Sequence, residues 1–91
     1  MNQVESNTKP AVVIADVAGS GGGQHVWPRH IVVAVLQPGT VYRARNARNV
    51  IAYREVGSYN GRNSKGPRSQ FALLQARAEA IRADLAAKYA A

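Results

Sequence analysis

Six consecutive apolar residues at positions 31–36, IVVAVL, constrain this chain more than any other feature. A run this short and this rich in β-branched side chains reads as a strand rather than a helix. Successive side chains of a strand point to opposite faces, so a strand without alternation must be covered on both. Residues 29–36, RHIVVAVL, are therefore the expected central strand. A second β-branched stretch, AVVIADVA at 11–18, lies between Pro10 and Gly19 and reads as its neighbour, joined to it through the glycine-rich loop at 19–23.

The next stretch, 36–56, carries two turn signals. Pro38-Gly39 combines a preset φ with a residue that accepts positive φ, and Asn46 and Asn49 bracket a second turn. Together they predict a hairpin in which 40–45 runs antiparallel to 50–55, with Arg45 opposite Val50 and Tyr42 opposite Tyr53. One face then holds Tyr42, Ala44, Ile51 and Tyr53, and the other Arg43, Arg45, Ala52 and Arg54. Pairing the central strand to 40–45 sets Val35 beside Tyr42 and Val33 beside Ala44. Val32 and Ala34 fall on the arginine face, which is aliphatic near the central strand and cationic near the edge. Trp27 with the N-terminal strand, or a partner chain such as a second copy in a homodimer, is the expected cover for the aliphatic part.

Residues 69–89 show helical periodicity. Ser69 is a capping residue, and Phe71, Leu74, Ala78, Ile81 and Leu85 recur every three or four positions. Beside this stripe, Leu73, Ala76, Ala80, Ala83 and Ala87 form a second, small-residue stripe expected to let the helix approach a sheet closely. Asp84 stands four residues before Lys88, the favoured order for a helical ion pair. The resulting fold class is α+β: a small antiparallel sheet of three to four strands packed against one long C-terminal helix. The expected organisation is a single domain over 1–91, with a frayed N-terminus at 1–10, a basic loop at 57–68 and the helix at 69–90. An apolar content of 46% supplies a modest core.

Several function classes are disfavoured. With no cysteine there is no disulfide, thiol nucleophile or thiolate metal site. The apolar run at 11–18 is short and contains Asp16, so neither a signal peptide nor a membrane span is expected, and the chain reads as cytoplasmic. The loop at 19–23 lacks the third glycine of a dinucleotide loop, where Gln24 stands, and Pro28 follows too soon for a phosphate-holding helix. His25 and His30 are five apart with no carboxylate pair beside them, so no metal, cofactor or catalytic residue is assigned. No family motif is carried. The order of strands, basic loop and alanine-rich helix is similar to that of the second half of double-stranded-RNA-binding domains and of three-stranded arm-type DNA-binding domains, and no residue role is taken from either.

Charge points to the partner. Residues 1–28 sum to −1 (Lys9 against Glu5 and Asp16), and residues 69–91 to +1 (Arg77, Arg82 and Lys88 against Glu79 and Asp84). Between them Arg29, Arg43, Arg45, Arg48, Arg54, Arg62, Lys65 and Arg68 face Glu55 alone, a net of +7. Arginine's planar fork suits phosphate and carboxylate. The first expectation is a non-catalytic nucleic-acid-binding protein. Arg43, Arg45 and Arg54 meet the backbone or a groove, Arg48 assists at the turn, Arg62, Lys65 and Arg68 assist from the loop, and Tyr59 stacks on a base. The alternative is an adaptor or inhibitor whose arginine face docks on an acidic protein surface or nucleoprotein complex. A third reading, a small basic ribonuclease, draws on Glu55, His25, His30, Arg43 and Arg54.

Overall fold

The structure is a computed structural model and describes residues 9–18, 28–61 and 66–90. Its elements are β1 (Ala11–Ala18), β2 (Pro28–Leu36), β3 (Val50–Asn60) and α1 (Gln70–Tyr89). The three strands form one antiparallel sheet in the order β1-β2-β3, with α1 packed against it, an α+β arrangement. The unalternating run is the central strand, and residues 31–36 are all 0% exposed.

The predicted pairing of 40–45 with 50–55 does not form. Val35 lies opposite Ala52, Ala34 opposite Tyr53 and Val33 opposite Arg54, so β3 occupies the place beside β2 expected for 40–45. Length decides the competition. β3 runs for eleven residues against the nine of β2, and its partners span β2 from end to end, whereas 40–45 offers six. Residues 37–49 form a loop instead, and its backbone groups find partners outside any ladder. Gly39 takes φ 77° in the turn, Thr40 N–H donates to the Gln37 carbonyl at 3.2 Å, and Gln37 N–H donates to the Asn49 carbonyl at 2.9 Å, closing the base. The Asn49 amide donates to Thr40 Oγ1 at 2.9 Å and to the Val41 carbonyl at 2.8 Å.

Two register slips shape β3, one between Val35 and Leu36 of its partner and one between Ile31 and Val32. Each leaves an extra residue on β3, Ile51 and Val56 respectively, and each reverses the face of the residues beyond it. Tyr53 and Glu55 therefore lie on the face away from α1, whereas Gly57 and Tyr59, also odd-numbered, lie towards it. The helix-side core combines Ile31, Val33, Val35, Val56 and Tyr59 with Leu74, Ala78 and Leu85, flanked by Val12, Ile14, Ala52, Phe71 and Ile81. Close approach needs Gly57, because a Cβ there would stand 2.7 Å from Leu74 Cδ2. Tyr59 stacks at a tilt on Phe71, centroids 5.1 Å apart, and donates its hydroxyl to Asp16 Oδ2 at 2.6 Å. The Arg29 guanidinium donates to Asp16 Oδ1 at 2.9 Å, so one carboxylate joins all three strands.

Ser69 caps α1 as expected, accepting from Ala72 N–H at 3.1 Å. The stripe of Leu74, Ala78 and Leu85 is buried, but the small-residue stripe does not meet the sheet: Leu73 is 56% exposed, and Ala76, Ala80, Ala83 and Ala87 are exposed with it. Four alanines offer little area to remove from water, so the larger side chains of the first stripe determine which way the helix turns. Asp84 does not pair with Lys88, whose ammonium lies over the Tyr89 ring at 5.6 Å; Glu79 and Arg82 form the helix's ion pair at 2.9 Å. The expected 57–68 loop is also shorter, since β3 continues to Asn60. Of the N-terminus expected to fray at 1–10, residues 1–8 lie outside the described residues, as do the 19–23 loop and Trp27.

Candidate nucleic-acid interface

The face away from the helix presents Val13, Ala15 and Val17 from β1, His30, Val32, Ala34 and Leu36 from β2, and Val50, Tyr53 and Glu55 from β3. The loop returns over part of it. Tyr42, Arg43, Ala44 and Arg45 line a cleft of about 450 Å³ together with Val17, Ala18, His30, Tyr53 and Glu55. Burial first, and the neighbouring Tyr53 second, hold the Tyr42 hydroxyl above its ordinary value against the opposing pull of Arg45, so it stays a neutral hydrogen-bond donor. A shallower depression of about 440 Å³ lies on the loop's other flank between Gly39, Thr40, Val41, Ala47, Arg48 and Asn49. Arg43 lines both.

At the cleft wall His30 Nδ1 lies 3.1 Å from Glu55 Oε2. Val32 opposes Glu55 and His30 opposes Ser58, so the two side chains are diagonal neighbours across the second slip. In the neutral imidazole, Nδ1–H donating to the carboxylate leaves Nε2 as an acceptor. Both side chains are partly open to solvent.

The expected arginine face is divided by the sheet. Arg43 and Arg45 share the cleft, and Arg48 lies on the adjoining flank. Arg54 opposes Val33 and so projects on the helix side, apart from them, which corrects the hairpin reading. Arg68 is exposed in the turn before α1. Tyr59 is 8% exposed within the core, so its expected stacking on a base is not available; the register slip after Glu55, which has no composition signal, carries it inward. Arg62, Lys65 and His25 lie outside the described residues. Two cleft tyrosines, Tyr42 and Tyr53, escape the sequence reading as site residues, because it sets them on the apolar side of a hairpin that does not form.

Ion pairing separates these arginines, and Arg77 with them, from Arg29 and Arg82. Asp16 pairs with Arg29, Glu55 with His30 and Glu79 with Arg82. Among the described residues no carboxylate reaches ion-pair distance of Arg43, Arg45, Arg48, Arg54 or Arg68. Among the described residues, too, no three of histidine, aspartate and glutamate gather to hold a metal ion, and no helix is long and apolar enough to cross a membrane. Compared with protein-family models, with curated proteins and with solved structures, the chain finds no match in any of the three.

Proposed function

We propose that the protein binds nucleic acid through the 40–48 loop and the cleft beneath it. The observation that carries this reading is the pairing pattern: Arg43 and Arg45 share one cleft and have no carboxylate partner among the described residues. Their counter-charge comes from a ligand, and a phosphodiester matches the guanidinium fork. Tyr42 and Tyr53 bring aromatic surface to the same cleft, the combination of cationic track and ring face that suits single strands. Arg48 extends the track along the loop, while Arg54, Arg68 and the basic stretch containing Arg62 and Lys65 add to the long-range attraction. Titration with mixed-sequence single-stranded RNA, single-stranded DNA and duplex, at low and physiological salt, tests the reading. Binding weakens with salt at a log–log slope of about −0.7 per contact for single strands and about −0.9 for duplex.

A second reading, docking on an acidic protein surface, is favoured by one observation. Val41, 65% exposed, lines the loop's outer depression with Arg43 and Arg48, and an apolar anchor flanked by arginine is a protein-interface pattern. No binding to any of the three nucleic acids at low salt would transfer the arginine loop to that reading.

A further inference from the structure

The cleft contains more than binding requires. A histidine with one ring nitrogen 3.1 Å from a carboxylate oxygen stands beside Arg43 and Arg45 in the same depression, and in its neutral form that bond makes the other nitrogen an acceptor. We propose that this cleft cleaves RNA by transesterification, with His30 as general base and Glu55 as its positioning residue; the inference rests on the nucleic-acid reading above.

RNA brings its own nucleophile, the 2′-hydroxyl next to each phosphodiester, so the protein need supply only a base and a cationic cradle. Glu55 accepts the Nδ1–H bond and fixes the tautomer with Nε2 unprotonated. The 2′-hydroxyl proton passes to Nε2 as the 2′-oxygen bonds to phosphorus. The bond from phosphorus to the 5′-oxygen then breaks, and that oxygen takes a proton from water. The imidazolium returns its proton to solvent. The products are a 2′,3′-cyclic phosphate and a 5′-hydroxyl end, and nothing is oxidised or reduced. Negative charge grows on the non-bridging oxygens in the transition state, where Arg43 and Arg45 hold it. The cleft has the volume of a small-molecule site, and Tyr42 and Tyr53 line the place where a base would sit. DNA, lacking the 2′-hydroxyl, binds without reacting.

The test uses one mixed-sequence single-stranded RNA oligonucleotide and its all-deoxy counterpart, both in EDTA. Cleavage of the RNA is followed by mass spectrometry of the new ends, and affinity for the deoxy strand by fluorescence anisotropy. The expected result is cyclic-phosphate ends, a loss of about 10²- to 10⁴-fold in rate for His30→Ala, and deoxy-strand affinity within about twofold of wild type. Added imidazole restores part of the His30→Ala rate, which repair of a merely structural defect would not explain. Glu55→Gln loses rate without losing affinity for the deoxy strand, and Glu55→Asp recovers part of the rate. His30→Asn replaces His30→Ala if the latter melts early. Affinity for the deoxy strand with no RNA cleavage overturns this inference and leaves the binding reading intact. Failure of both binding and cleavage overturns both. Cleavage that persists unchanged in His30→Asn and Glu55→Gln also overturns it.

Discussion

The two faces of the sheet use the same central strand in different ways. Towards α1, Ile31, Val33 and Val35 meet Leu74, Ala78 and Leu85, all side chains without charge, and the one carboxylate near them is bound by Arg29 and Tyr59. Away from α1, Val32, Ala34 and Leu36 are as fully buried, yet they are ringed by His30, Tyr53 and Glu55 and approached by a loop that carries Arg43 and Arg45. One face closes on itself; the other leaves cationic groups facing a cleft. The lesson is that in a sheet this small, alternation along one strand is enough to keep the helix-packed core and the cationic cleft on opposite sides.

The largest expected effect lies on the closed face. Leu74→Asp buries an unpaired charge at a cost of several kcal/mol against a typical total of about 5–15, and the variant should be unfolded by circular dichroism. A retained melting temperature would dissolve the distinction between the faces. Next, Gly57→Ala forces its new methyl group against Leu74 and should cost about 1–3 kcal/mol in urea denaturation, because Leu74 is itself buried and has little room to yield.

A third variant, Tyr59→Phe, removes a hydrogen bond to a charged acceptor, a class worth about 1.5–3 kcal/mol. It also sharpens the comparison through pH. Burial first, then Asp16, holds the Tyr59 hydroxyl above its ordinary value of 10.0. A raised folded-state value favours the folded protein below pH 10 and loses that contribution as pH rises through the folded value. Wild type should therefore lose its advantage over Tyr59→Phe only in strongly alkaline buffer; an equal gap at all pH values would refute the assignment.

The smallest effects on stability belong to the open face. Arg43→Ala and Arg45→Ala should stay within about 0.5 kcal/mol of wild type, while each lowers nucleic-acid affinity and flattens the salt slope by about one contact. Arg54→Ala, on the other face, should weaken binding less, and Arg77→Ala on the helix should leave it unchanged. Equal losses from Arg43→Ala and Arg54→Ala would show that the sheet does not divide the arginines.

The central strand and the helix are legible because each announces itself locally. Six apolar residues in succession require burial on both sides, and Ser69 followed by Phe71, Leu74, Ala78, Ile81 and Leu85 supplies both a cap and a period. The pairing is not legible. Residues 40–45 and 50–55 alternate equally well, and only the length of β3 against β2 separates them. Nor do the extra residues Ile51 and Val56 differ in type from their neighbours, so the slips that separate Arg54 from Arg43 and turn Tyr59 inward leave no mark in composition. The His30–Glu55 contact depends on that same register, which is why its two members can be named from the sequence but not joined.

The slip at Val56 carries a consequence for how this gene can vary. Deleting that single codon would restore unbroken alternation along β3 with Gly57 still opposite Ile31 and Tyr59 still facing α1, whereas deleting Ser58 instead would bring Tyr59 round to the cleft side. A one-residue change in length at such a paired position is a frame error in three dimensions, although the reading frame survives. Between Thr40 and Arg48 the chain meets the sheet through Asn49, the Ala47 carbonyl and Tyr42 beside Tyr53 rather than through ladder bonds, so an added or lost residue shifts no ladder. In a library of single-codon deletions, foldable variants should therefore accumulate in the arginine loop and at Val56 and vanish from the paired residues 57–59, tracing the boundary between phase-locked and phase-free backbone.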